Sequence, residues 1–288
     1  MVADVRPLDG TQSMVANNFY MSINKSPLIF FLLVFALSSP FWLVGAVTGL
    51  QLLPGLPVSS LVIVSPVIAA LILVYRENGT AGMTKLLKRS FDYKRIRAKM
   101  WYAPIILFWP GVMVLMYVLL RLMGSPVPAP EFPILAAMVG SLVAFIAALG
   151  EELGWSGYVI DPMQNRSNAL QASILLGVVW AAWHLVLLVQ AQRSAEYIAW
   201  QSLVYVPERV LFVWLYNNTG KSIFATAVFH AMLNVTWQLF PINGSFYDPR
   251  ITSLIVTFAA IIVTVVWGPQ TLARCRNPWP GRLRSSAS

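Results

Sequence analysis

Residues 134–149 read ILAAMVGSLVAFIAAL and lead without a charge into Gly150-Glu151-Glu152-Leu153-Gly154-Trp155-Ser156-Gly157-Tyr158. The apolar run is that of a membrane-crossing helix, and it ends on two adjacent carboxylates. A carboxylate at mid-bilayer costs about 2.5–3.5 kcal/mol on insertion scales, so acids in such places mark function. The chain has only 11 acidic residues in 288, and it sets two of them side by side here. Gly150 and Gly154 are one helical turn apart and Gly157 follows, a spacing that lets a neighbouring backbone come close.

Working outward, the whole chain is 58% hydrophobic and 11% charged, where a soluble protein carries about a quarter charged residues. This composition predicts an all-α membrane protein of eight transmembrane helices. The expected spans are 28–50, 58–75, 101–123, one from 134 to the acidic pair, 171–190, 197–216, 222–240 and 251–267. Each reaches across roughly 30 Å of hydrocarbon at about 1.5 Å per residue, the shortest only just. The expected organisation is a cytoplasmic segment 1–27, spans one to three over 28–133 with a basic loop 76–100, a functional core over 134–240, and an eighth span with a basic tail over 241–288. Residues 1–27 lack the compact basic start of a signal peptide.

A net charge of +9 could suggest nucleic acid, but the distribution of the basic residues points elsewhere. With both termini on one side, that side holds sixteen Lys and Arg against three on the other, Arg121, Arg193 and Arg250. The positive-inside rule then places both termini in the cytoplasm and makes the basic residues anchors at the bilayer surface. The expected setting is a multi-pass protein of a bacterial cytoplasmic membrane, with lipid and no nucleic acid as partners. Cys275 is the single cysteine, so neither an intramolecular disulfide nor a thiolate metal cluster can form.

The chain has two histidines, His184 and His230, and both fall inside predicted spans. Trp180 lies one turn before His184, and Asn234 one turn after His230. Glu151 sits shallower than the histidines by a few residues, a gap that a fourth helix running on through Tyr158 would close. Two chemistries fit these residues. In one, zinc is held by His184, His230 and Glu151 with an open water position. In the other no cofactor is needed: a glutamate activates water, a histidine orients it, and histidine with asparagine stabilises an oxyanion. No His-Glu-x-x-His or Gly-x-Ser-x-Gly motif is present. Glu208 and Arg209 lie inside the sixth span, as charges that neutralise one another or hydrate a cavity.

Taken together, Glu151-Glu152-Leu153-Gly154-Trp155 with Gly157-Tyr158, the run from Gly177 to His184-Leu185, Trp214-Leu215-Tyr216-Asn217-Asn218-Thr219, and Phe229-His230-Ala231-Met232-Leu233-Asn234 resemble the CAAX protease and bacteriocin-processing (CPBP, or Abi) family of intramembrane proteases, in its bacterial branch. The resemblance runs from Leu149 to Asn234. It implies an endopeptidase acting on a peptide or small membrane-protein substrate. It further implies Glu151 as the base that activates water, Glu152 as its supporting neighbour, His184 with Trp180 as the water-positioning pair, and His230 with Asn234 as the oxyanion partners. One position departs from the family pattern Glu-Glu-x-x-x-Arg: Ser156 stands where the arginine is expected. Either another cation serves, with Arg209 the intramembrane candidate, or a carboxylate stays protonated, or the protein is a catalytically impaired scaffold or immunity-type partner. A proton-coupled transporter finds no inverted repeat in support.

Overall fold

In the computed structural model, residues 26–53, 56–131, 134–241 and 246–273 are described. The helices are α1 (Pro27–Thr48), α2 (Ser65–Lys88), α3 (Tyr102–Leu122), α4 (Ile134–Gly154), α5 (Ile160–Arg166), α6 (Ala169–Gln190), α7 (Ala195–Asn218), α8 (Ile223–Leu239) and α9 (Pro249–Trp267). A short antiparallel hairpin, Gln51–Leu53 against Leu56–Pro57, and a 3-10 turn, Val58–Val64, lead into α2. The expected anchors in the N-terminal segment and in the tail, with Cys275, lie outside the described residues.

The all-α membrane class holds. Eight main helices match the eight expected spans, and six passages are long and apolar enough to cross a bilayer. Two of the eight differ in kind. α8 has 17 residues, about 26 Å at ~1.5 Å per residue, and α7 buries Glu208 and Arg209 along its length. α4 turns one flank outward, with Ile134, Met138, Leu142 and Ile146 all more than half exposed. Such a continuous apolar face suits lipid rather than water.

Side-chain oxygens cap the N-termini of α6, α7, α8 and α9 through Asn168, Ser194, Ser222 and Asp248, each satisfying amides that the first turn leaves open. The glycine spacing does what the sequence suggests. A Cβ on Gly154 would sit 2.6 Å from the carbonyl oxygen of Pro66, so α4 and α2 touch backbone to backbone there. Gly177 plays the same part between α6 and α7, where a Cβ would meet Val206 Cα at 2.7 Å.

Two features depart from the hydropathy reading. The second helix does not stop near Tyr75 but continues to Lys88 across a break at Gly79, where φ is 60°. Hydropathy marks where apolar residues end, whereas Lys, Leu and Met sustain a helix in polar surroundings. The basic residues that follow are also more than surface anchors. Arg89 donates to the Lys221 carbonyl at 2.7 Å and to the Tyr216 hydroxyl at 3.1 Å. Asp92 accepts from Ser222 Oγ at 2.7 Å, and Arg95 Nε reaches the Gly220 carbonyl at 2.8 Å. Together they staple this loop to the turn between α7 and α8.

Candidate active site

α4 does not end at the acidic pair. Trp155–Val159 forms a π-helical turn, and α5 carries the same passage on to Arg166. The helix therefore runs on through Tyr158, which brings Glu151 and Glu152 to the level of the histidines. π-turns arise where an extra residue is accommodated in a helix, often at functional sites. Here the turn directs Trp155 and Ser156 into the bundle, both buried.

Glu152 is fully buried and saturated with donors. Oε1 accepts from Arg209 Nη1 at 2.8 Å and from His230 Nδ1 at 3.0 Å, and Oε2 accepts from the Ser156 hydroxyl. A carboxylate oxygen only accepts, so His230 carries its proton on Nδ1 and turns Nε2 toward Glu151, whose Oε1 lies 4.0 Å away. The cation that the motif lacks at position 156 thus comes from α7. Among the described residues Arg209 makes no salt bridge with Glu208, so of the two readings of these neighbours mutual neutralisation gives way to an ion pair across helices.

Trp180 is the hub on α6. Its indole Nε1 donates to Glu151 Oε2 at 3.0 Å, and its carbonyl accepts from His184 Nδ1 at 2.9 Å. His184 Nε2 has no hydrogen-bond partner among the described residues. The Trp180 ring meets His184 and His230 edge-on, with centroids 4.6 and 5.6 Å apart, and lies 4.0 Å beneath the Arg209 guanidinium. Such a cation–π contact in a desolvated site is worth about 2 kcal/mol. Glu151, Glu152 and His230 are buried, while His184 is partly exposed and marks the accessible edge of the cluster.

Asn234 follows His230 by one turn on α8 and is partly exposed, with no hydrogen-bond partner among the described residues. Six of the expected residues, Glu151, Glu152, Ser156, Trp180, Arg209 and His230, form one contact network, and His184 joins it through Trp180. Among the described residues no group of three or more His, Cys, Asp or Glu is arranged so that it could hold a metal ion.

Sequence reasoning missed Tyr205 and Phe212. Tyr205 packs against His184 with centroids 4.7 Å apart and planes tilted by 31°, and Phe212 meets His230 at 5.4 Å. The signal was available: Tyr205, Arg209 and Phe212 are spaced i, i+4, i+7, one face of a helix. That face of α7 is the back wall of the site.

Comparison with known proteins returns similarity over the same stretch of chain. The family model described as Type II CAAX prenyl endopeptidase Rce1-like matches residues 133–236, which include every residue of the cluster. CAAX prenyl protease 2 of Methanococcus maripaludis is 26% identical over 272 residues, covering 84% of this chain and 95% of the relative. Both findings agree with the resemblance to CAAX-type proteases drawn from the motifs, and with the apolar helices they support a protease in a multi-pass membrane setting. The pairwise similarity extends beyond the motif region, 149–234, into the first half of the chain.

Proposed function

We propose that this protein is an intramembrane endopeptidase that hydrolyses a peptide bond with water activated by Glu151. The observation that carries the reading is the meeting of α4, α6 and α8 at one buried point: Glu151 is held by Trp180 on one side and faces His230 Nε2 on the other. Glu151 takes a proton from water, and that proton passes to the departing amine as the tetrahedral intermediate collapses. His184, with Nδ1 committed to the Trp180 carbonyl, offers Nε2 to the water. His230 Nε2, when protonated, and the Asn234 amide stabilise the oxyanion. Glu152 and Arg209 hold His230 in place. The substrate class is a peptide or small membrane protein reaching the site from the cytoplasmic half of a bacterial membrane, and no metal takes part in the scheme.

The test is cleavage of a membrane-peptide library by purified protein and by Glu151→Gln. The variant is expected to fold with unchanged thermal stability and to lose cleavage by at least a hundredfold, and wild-type cleavage is expected to persist in a chelator. Cleavage by Glu151→Gln at the wild-type rate would end this reading. Loss of wild-type cleavage in the chelator, restored by zinc, would end the metal-free part alone.

A further inference from the structure

Glu208 is the buried charge that the scheme does not use. It is 1% exposed, and its Oε2 has no hydrogen-bond partner among the described residues. The next residue repeats the pattern. Arg209 is fully buried and engages Glu152 through Nη1, while Nε and Nη2 have no hydrogen-bond partner among the described residues. Polar atoms in a native interior are nearly always hydrogen-bonded, and leaving one unmet costs about 1–3 kcal/mol. Two consecutive residues that bury three such atoms need a small polar ligand.

The surroundings say which. Gln201, Tyr205 and Glu208 follow at i, i+4 and i+7, so they line one flank of α7, and Tyr205 also lies one turn before Arg209. Gln201 and Tyr205 are both buried, and Gln201 Oε1 accepts from the Tyr247 hydroxyl at 3.0 Å. Tyr247 precedes α9, where burial first and the Glu208 carboxylate second push its phenol well above the ordinary value. The wall thus combines a carboxylate, an amide, phenols and free guanidinium edges. Glu208 is the one acid in this wall, and among the described residues no group of three or more His, Cys, Asp or Glu could hold a metal ion. A mixed donor and acceptor lining of this kind is the setting in which buried water makes its usual two to four hydrogen bonds.

We propose that Glu208 anchors a water-binding site inside the bundle, walled by Gln201, Tyr205 and Arg209 and lying beside the Glu151–His230 cluster rather than within it. Under the hydrolase reading this water is the reservoir from which the site is resupplied, but the proposal concerns hydration alone and its test scores no cleavage.

Radiolytic hydroxyl-radical footprinting of the full chain in nanodiscs reads it, because radicals formed from a bound water oxidise the side chains that touch it. Tyr205 is expected to be oxidised several-fold faster than Phe229, which is fully buried among aromatic rings. In Glu208→Leu the Tyr205 rate is expected to fall to that of Phe229, and in Glu208→Gln, which keeps a hydrogen-bonding side chain, to stay near wild type. Equal Tyr205 and Phe229 rates in the wild type would overturn the proposal. So would a Tyr205 rate untouched in Glu208→Leu, which would assign the water to the His184 side. Should the leucine variant loosen the bundle, Phe229 oxidation rises with Tyr205 and the wild-type ratio decides alone.

Discussion

Arg209 Nη1 stands 2.8 Å from Glu152 Oε1, a guanidinium from α7 neutralising a carboxylate on α4 where the CPBP-type motif would have drawn it from α4 itself. Ser156, at the position of the missing arginine, hydrogen-bonds the other oxygen of the same carboxylate. The two positions therefore address one charge from two passages of the chain.

From this follows a rescue experiment. Removing one member of a buried pair strands the other and costs about 3–5 kcal/mol, so Arg209→Ala is expected to lower thermal stability sharply and to abolish cleavage. Adding Ser156→Arg to that background is expected to restore at least half of the lost stability. A double variant no more stable than Arg209→Ala would show that position 156 cannot serve Glu152.

Trp180→Phe tests the indole separately from the ring. The phenylalanine keeps the edge-on packing against both histidines but loses the donor to Glu151. A hydrogen bond to a charged group is worth about 1.5–3 kcal/mol. Cleavage is expected to fall by about tenfold to a hundredfold, with a smaller loss of melting temperature than Arg209→Ala shows, read from kcat and unfolding of the same preparation.

Gly177→Val places branched carbons where α6 already touches α7. Overpacking of this kind costs about 1–3 kcal/mol. The helices must part beside Tyr205, and the contact of Tyr205 with His184 goes with them. Activity is expected to fall further than stability, whereas Gly140→Val, at a glycine with open space around it, leaves both near wild type.

The pH dependence of stability has one clear contributor outside the membrane. Burial pulls the Asp248 carboxyl up, but hydrogen bonds from the Arg250 side chain and from the amides of Arg250 and Ile251 outweigh it and hold the value below the ordinary one. A lowered carboxyl stabilises the fold above its unfolded value, about 3.9, and that share fades as pH falls through the lowered value. Asp248→Asn keeps an N-cap but no charge. Its melting temperature is expected to fall less steeply below about pH 4 than that of wild type, in thermal unfolding across pH.

Hydropathy was enough for the membrane class and the eight helices, and motif order was enough to gather Glu151, Glu152, His184, His230 and Trp180. What it could not supply has a physical reason in each case. A π-turn leaves no periodic mark in Trp155–Val159, because one inserted residue only shifts a phase. The α2 extension to Lys88 is helical without being apolar. The partner of Arg209 depended on which face of α7 meets α4, and Glu208 sits next to it in sequence without bonding it. Nothing in a linear reading separates two adjacent charges that bond each other from two that part company.

The π-turn has a consequence for how α4 can change. Ahead of it, rotation about the helix axis is fixed by the acidic doublet and by Gly154 against α2. Behind it, rotation is fixed by Ile160 and Met163 in the core. The extra residue is the phase adjuster between these two fixed halves. A one-residue deletion within Trp155–Val159 would wind the passage into regular helix and twist the halves about 100° against each other. A change in the length of this passage therefore reaches both halves at once, which no substitution within it does.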